Sequence, residues 1–487
     1  MAPALDKIHE ECGVFGIYAP DQDVARVTFF GLYALQHRGQ ESAGIAAADG
    51  QTLRLRTHMG LVSQAFSEED LAALPGHIAI GHTRYSTTGS CSPANASPIR
   101  AECDLGSFAV AHNGNLVNAQ PLRDEMLQLG ARFASSTDSE VITRLIAEAP
   151  GRDWLTKIRR AMPRFMGAYS LVIATVDRLI GVRDPLGVRP LCLGRLEGGQ
   201  GGWVLASESC ALMTIGAALV REVAPGEIVI IDAGGVHSHT GQVPERHAMC
   251  LFEYIYFARP DSTINDRRVY LARLRMGEEL AREHPAAADI VVPVPDSAVP
   301  AAIGYSRASG IPFAEGLIKN RYIGRTFIQP DQRLRDVGIG LKFNPLPEVL
   351  RGKRVVLVDD SIVRGTTTPP IVRLLRQAGA EEVHVRIHSP AFRWPCYLGL
   401  DVATRQELIA AHKSVDEIAA HINANSLGYL SVEGLLRAID VPRDEFCFGC
   451  FTGHYPVPVQ MDLMDKLALE RPVPAMAAPG EAALPPR

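Results

Sequence analysis

No apolar run of about 18 residues occurs in the sequence, so no membrane-spanning helix is expected. The opening residues, MAPALDKIHEE, lack the apolar stretch of a secretory leader, and the cytoplasm is the expected location. There is no basic excess. The 49 Lys and Arg face 54 Asp and Glu, and the net charge of −5 offers no electrostatic attraction to nucleic acid. Neither a helix-turn-helix pattern nor a repeat at solenoid periods is found. What remains is the composition of an ordinary soluble protein, 47% apolar and 21% charged, in a chain of 487 residues that has room for two or three domains. Nine cysteines without a leader are expected as reduced thiols, some of them chemical or metal-binding.

The first half reads as strands at Cys12–Tyr18, Ala43–Ala48, Ile78–His82, Phe108–His112, Tyr169–Thr175, Trp203–Ala206 and Glu227–Ile231. Helical patterns lie near Val24–Leu35, Gln120–Leu129, Ser139–Ala147 and Trp154–Met162. So many strands with few helices between them predict a mostly antiparallel α+β domain, two sheets between helix layers. The polar stretch Gly234–Glu245 is the expected domain boundary. Beyond residue 250 the rhythm changes. Short apolar strands at Asp289–Val294, Val355–Val358 and Val383–Ile387 alternate with helices, the doubly wound α/β pattern. The Pro- and Ala-rich tail, 470–487, is expected to be disordered.

Within the second half, VVLVDDSIVRGTTT (Val355–Thr368) is the most informative stretch. A buried strand ends in two carboxylates, Asp359 and Asp360. A hydroxyl- and Gly-bearing loop follows. Thr368 is the expected N-cap and Pro369 the first residue of a helix that stops at Gly379. Ligands of open α/β sheets bind at the carboxyl ends of strands. A helix N-terminus favours phosphate, and carboxylates can hold sugar hydroxyls or Mg²⁺. This stretch resembles the phosphoribosyl-diphosphate (PRPP) loop of type I phosphoribosyltransferases. The resemblance implies that Asp359 and Asp360 grip the ribose. It also implies that Ser361, Gly365, Thr366 and Thr367 cradle the 5-phosphate. VVPVPDS, ending in Ser297, resembles that family's pyrophosphate loop, so Ser297, Asp359 and Asp360 form the implied Mg²⁺ set. Residues 320–344 look like its lid, with Lys342 as the pyrophosphate-contacting lysine. Here the chain departs from the family. Gly340, with Gly338 nearby, stands where a basic residue is usual, which implies a looser lid.

In the first half, Cys12, the run Gln36–Gly44, HTRYSTTG (His82–Gly89), His112-Asn113-Gly114 and SSTDSE (Ser135–Glu140) together resemble class II glutamine amidotransferases. These are N-terminal-nucleophile hydrolases with an αββα fold. The resemblance implies a propeptide, residues 1–11, removed by self-cleavage to free Cys12. A free α-amine, with pKa about 8, can then serve as base to the thiol. It further implies that Arg84 binds the substrate carboxylate and Asp138 the α-ammonium. Asn113 and the Gly114 N–H would form the oxyanion hole.

Cys447-Phe-Gly-Cys450 is a C-x-x-C motif, which alone fits redox, zinc or cluster chemistry. Together with Cys250 and Cys396, and with the flanks MCLFEYIYFARPDS and RWPCYLGLD, it resembles the branch of glutamine PRPP amidotransferases that carries a [4Fe–4S] cluster. Four thiols also satisfy zinc. Cys91, Cys103, Cys192 and Cys210 are expected to be structural.

With all motifs in the family's order, the chain resembles that family from Cys12 to about Val459. The implied domains are 12–240 (glutaminase) and 250–465 (type I phosphoribosyltransferase with a cluster-bound extension). The implied reaction transfers the amide nitrogen of glutamine to PRPP, giving 5-phosphoribosylamine, glutamate and diphosphate. Homotetramers and feedback by purine nucleotides come with the resemblance. Two rivals stand beside it. One is another class II amidotransferase, for which the PRPP loop has no use. The other is a non-catalytic PRPP-binding regulator, which leaves Cys12, Arg84, Asn113 and Asp138 unexplained.

Overall fold

The computed structural model describes residues 12–86, 89–198, 201–244, 246–320, 342–400, 402, 404–459 and 469. The expected propeptide, most of the expected lid with Gly338 and Gly340, and the 470–487 tail lie outside the described residues.

Among the described residues, thirteen strands build the first half. They are β1 (Gly13–Tyr18), β2 (Ser42–Ala48), β3 (Leu53–Met59), β4 (Ile78–Arg84), β5 (Ile99–Cys103), β6 (Gly106–Leu116), β7 (Gly167–Thr175), β8 (Leu179–Arg183), β9 (Cys192–Leu196), β10 (Gly202–Ala206), β11 (Ala217–Glu222), β12 (Glu227–Asp232) and β13 (Gly235–Thr240). They form two sheets, ordered β11-β9-β10-β1-β4-β2-β3 and β13-β12-β8-β7-β6-β5, and every pairing is antiparallel. Alternation along β1 shows how the layers are specified. Val14 and Tyr18 face the second sheet, where they meet Ala111 and Val172. Phe15 and Ile17 face the other way, with Leu32 and Leu35 of the helix Val24–Ala34. Val141, Ile142 and Ile146 of the helix Asp138–Glu148 cover the outer face of the second sheet. The result is the expected stack of helix, sheet, sheet and helix.

Each expected strand and helix is present to within a few residues. Six strands were not anticipated: β3, β5, β8, β9, β11 and β13. β3 (LRLRTHM) and β13 (GVHSHT) are edge strands with half-exposed polar side chains, so their sequences lack the apolar signal of a buried strand. Because β13 pairs with β12 along Glu227–Asp232, the boundary expected at Gly234–Glu245 moves past Thr240.

The second half carries a four-stranded parallel sheet, Ile290–Pro293, Arg354–Asp359, Glu382–Ile387 and Ser426–Tyr429, in that spatial order. After the helix Val299–Ser309 the chain returns to the free side of the first strand, where Phe313 bridges Val291 in parallel. The next sheet strand, Arg354–Asp359, lies on the opposite side. The direction of winding therefore reverses between Ile290–Pro293 and Arg354–Asp359, and this is the switch point of a doubly wound sheet. The two helix layers confirm it. Ala301, Ala302 and Tyr305 share one core with Val291 and Val356, whereas Ile371, Val372 and Leu375 share another with Val292 and Leu357.

The last described segment is tied back by pairing and packing. Met249–Cys250 runs parallel to Phe446–Cys447, and Phe446, Cys450 and Phe451 join the core around Phe252. Cys192 and Cys210 are buried, as a structural role requires. Cys91 is exposed in a loop, which corrects the expectation for it, whereas Cys103, at a hairpin end, is partly buried and packs against the core beneath the second sheet.

Candidate active site

Two groups of polar residues are brought together, one in each half. In the first, Cys12 immediately precedes β1, whose Gly13 pairs with Thr83 of β4. Arg84, the next residue of β4, is thereby set beside Cys12. The Cys12 thiol donates to the Tyr85 carbonyl at 3.3 Å. Burial pushes this thiol up to about 11, against the opposing pull of that hydrogen bond and of Arg84. Asp138 and Glu41 add to the rise. Those three charges therefore act on the sulfur. Asp138 is the first residue of its helix and is buried. Its carboxylate accepts from the Leu116 N–H at 3.0 Å, and His112 Nδ1 lies 3.8 Å away. The end of β6 that carries His112, Asn113 and Gly114 is in this way fixed against Asp138.

Asn113 is fully buried, and among the described residues neither its Nδ2 nor its Oδ1 has a hydrogen-bond partner. An orphaned buried amide of this kind costs a folded protein stability, so a substrate oxygen is a reasonable partner for it. Gly114 sits at φ +145, and a Cβ there would lie 2.1 Å from the Ala168 carbonyl, so no other residue fits.

Sequence reasoning flagged Gln36–Gly44 without assigning roles, and four functional candidates were missed. Glu41 accepts from the Ser86 N–H at 3.0 Å and from Arg84 at 3.3 Å. Arg38 Nε donates to the Cys12 carbonyl at 3.2 Å. Its terminal nitrogens reach Glu208 (2.6 Å) and Glu253 (2.7 and 3.0 Å). The signal available in sequence was the charge pattern of QHRGQES. The partners Glu208 and Glu253 are too distant along the chain to be read from it.

In the second half, the expected acidic pair stands at the switch point. Asp359 ends its strand and Asp360 follows; both are buried. Ser297, from the loop after the neighbouring strand, donates to Asp360 Oδ2 at 2.5 Å, and Ser361 donates to Oδ1 at 2.7 Å. The Asp360 N–H turns back onto Asp359 at 2.9 Å. The loop continues into the helix Thr368–Gln377. Its N-cap is Thr367, one residue before the expected Thr368, because Thr368 already has helical geometry; Pro369 is then second. Gly379 closes it at φ +98 as expected. Gly365 takes φ +71, and a Cβ there would strike Ile409 at 2.5 Å. Ser361, Gly365, Thr366 and Thr367 thus lie on one loop between the carboxylates and a helix N-terminus. Lys342 immediately precedes the strand Phe343–Pro345, with its ammonium 5.5 Å from the Phe343 ring centroid.

The four C-terminal cysteines converge. Cys250 and Cys447 are register partners, and the Cys450 thiol, buried, is pushed well up by burial and then by Cys396, Cys447 and Cys250. Nevertheless, among the described residues no group of three or more His, Cys, Asp or Glu is disposed to hold a metal ion. No helix among them is long and apolar enough to cross a membrane.

Comparison with known proteins decides the family. A glutamine amidotransferase domain model matches residues 82–214, and a phosphoribosyl transferase domain model matches residues 271–390. The amidophosphoribosyltransferase of Synechocystis sp. is 54% identical over 93% of this chain and 92% of its own length. The chain belongs to the amidophosphoribosyltransferase family. The corresponding protein of Methanothermobacter thermautotrophicus is 48% identical over 95% of this chain and 98% of its own. Among solved structures, the glutamine PRPP amidotransferase of B. subtilis complexed with ADP and GMP superposes with a TM-score of 0.87. It is 45% identical and covers 93% of this chain and 98% of its own. A structure described as the allosteric regulatory enzyme of purine biosynthesis gives a TM-score of 0.89, also at 45% identity, over 96% of this chain and 100% of its own. The chain is therefore an enzyme of the first step of purine biosynthesis. A class II glutamine amidotransferase half precedes a phosphoribosyltransferase half.

Proposed function

We propose that Cys12, freed by removal of residues 1–11, attacks the glutamine amide and forms a thioester. Ammonia leaves, and water then releases glutamate. Arg84 holds the substrate carboxylate and Asp138 its α-ammonium. Asn113 and the Gly114 N–H stabilise the oxyanion. The observation that carries this reading is the unpartnered, fully buried Asn113 amide in a site where Arg84 and Asp138 flank the thiol. With its thiol pushed up to about 11 by burial, Cys12 is a poor nucleophile until a base is added, and the freed α-amine supplies one.

Ammonia then passes within the protein to C1 of the ribose and displaces diphosphate. Asp359 and Asp360 hold the ribose hydroxyls, Ser361 to Thr367 the 5-phosphate, and Lys342 the diphosphate. The all-oxygen set of Ser297, Asp359 and Asp360 suits Mg²⁺, which when bound would neutralise the departing diphosphate. Cys250, Cys396, Cys447 and Cys450 would supply the four sulfurs of a [4Fe–4S] cluster, a reading supported by the pairing of Cys250 with Cys447 and by the nearness of Cys450 to the other three. The domains extend over 12–240 and 250–465, in a cytoplasmic homotetramer. Feedback by purine nucleotides is supported by the ADP and GMP bound to the B. subtilis relative.

The test follows glutamate and diphosphate together in anaerobically purified protein, with and without PRPP and Mg²⁺. Equal, PRPP-dependent release of both is expected. Glutamate without diphosphate would overturn the assignment of the acceptor site.

A further inference from the structure

The two halves meet through a buried set of charges that the reaction scheme leaves unused. Glu253 lies just inside the second half and is fully buried, as is Arg189; Arg38 is 1% exposed and Glu208 2%. Arg38 and Glu253 form a two-pronged pair, with Nη2 to Oε1 at 2.7 Å and Nη1 to Oε2 at 3.0 Å. Such a fork fixes the plane of the guanidinium as well as its position. Once that plane is fixed, a further donor, Arg38 Nε, points at the Cys12 carbonyl, 3.2 Å away.

Glu253 is itself held. Arg189 reaches its Oε1 at 3.5 Å while donating to the Leu398 carbonyl at 2.8 Å. The carbonyls of Tyr254 and Ala258, on the same turn of chain, each accept from the buried Arg273 at 2.8 Å. Arg273 in turn lies in the field of Asp360. Glu208, on the glutaminase side, is tied across the boundary by the Arg259 N–H (2.9 Å) and the Ser262 hydroxyl (2.7 Å). Two buried guanidiniums thus meet two buried carboxylates, with the part-exposed His37 also on Glu208 at 2.7 Å, and one carboxylate comes from each domain.

We propose that Glu253, contributed by the phosphoribosyl half, is a positioning residue of the glutaminase half. It holds Arg38 in the orientation that anchors the Cys12 backbone, so the nucleophile is aligned by docking of the two domains. Glutamine cleavage is thereby tied to the presence of the half that consumes ammonia. The inference rests on Cys12 being the nucleophile. Glu253 touches neither substrate and acts through Arg38.

Glu253→Gln keeps the shape and removes the charge and one acceptor. A displacement of the nucleophile by a fraction of an ångström is expected to lower kcat for glutamine-driven synthesis by about 30-fold. The KM for glutamine should stay within about twofold, since Arg84 and Asp138 are untouched. The ammonia-driven rate should fall far less, and Glu253→Asp, which keeps the charge, should recover part of the loss. Equal losses with glutamine and with ammonia, or no loss in a folded variant, would overturn the proposal. If Glu253→Gln does not fold, Arg38→Lys keeps the charge and removes both the fork and the Nε donor. It must show the same split, and failure of both variants to fold assigns the cluster a purely structural role and also overturns the proposal. Cys12→Ala in parallel separates the two ideas, because a glutamine-driven rate that survives it refutes the nucleophile rather than the role of Glu253.

Discussion

In the glutaminase half, charges of both signs are locked in place by protein partners: Arg84 by Glu41 and the Ser90 carbonyl, Asp138 by the Leu116 N–H, and Arg38 by Glu208 and Glu253. In the phosphoribosyl half, the site is a knot of oxygens, with Ser297 and Ser361 both donating to Asp360. The contrast follows from the ligands. Glutamine carries one positive and one negative group at fixed separation, so a site for it needs both complements prepositioned. PRPP is a polyanion that travels with a cation. Its site needs oxygens for the metal and the sugar, and backbone N–H groups for the phosphate.

This comparison can be broken at several points. The largest effect is expected from Cys12→Ala, which should lower glutamine-driven synthesis at least about a thousandfold while ammonia still drives the second half. Loss of both rates would show that the sites are not separable. Asn113→Ala removes the orphaned amide from the proposed oxyanion position. A fall in kcat of about 100-fold is expected for glutamine, with ammonia unaffected; an unchanged kcat would assign the oxyanion elsewhere. Asp360→Asn should do the reverse of Cys12→Ala and lower glutamine- and ammonia-driven rates alike, by tens of fold, on the order of the loss when a metal-site carboxylate is disturbed. A loss confined to glutamine would place Asp360 outside the acceptor site.

The smallest effect concerns stability. Burial holds His82 neutral, down to about 3. The unfolded chain takes up this proton near the ordinary histidine value and the folded chain does not. His82 therefore makes the protein lose stability as pH falls from about 6.5 towards 3, by up to about 1.4 kcal/mol per unit. Asp184 works in the opposite sense. Burial raises its carboxyl to about 6, so it favours the folded state at low pH and loses that contribution as pH rises from about 4 to 6. Melting temperatures of the wild type and His82→Gln between pH 7 and 5 separate the two. The variant should show a flatter acid limb, and parallel curves would mean that His82 does not titrate on unfolding.

Much of this was legible in the chain. The strand Arg354–Asp359, its terminal carboxylates and the loop after it are contiguous, so their chemistry could be read as one phrase. The same holds for His112-Asn113-Gly114 and for the amphipathic helix that begins at Asp138. Edge strands such as β3 and β13 were not legible, because pairing on one side only relaxes the demand for apolar side chains. Arg38 was visible as a charge in a polar run. Its role was not, because its partners Glu208 and Glu253 lie 170 and 215 residues away.

The sequence by itself determined which residue types are available and in what local frame: a cysteine ahead of a strand, an Asn-Gly at a strand's end, two aspartates before a hydroxyl loop, four cysteines in the second half. Local chemistry and periodicity fix these, since each depends on neighbours within a turn or a strand. Only the tertiary structure decided that Ser297 and Asp360 share the switch point of a reversed winding. Likewise, it alone brought together Cys12, Arg84 and Asp138 from three elements, and placed a carboxylate of one domain against an arginine that bonds the Cys12 carbonyl in the other. Those juxtapositions come from strand pairing and burial, and burial is what makes an unpaired charge costly enough to demand a partner far along the chain.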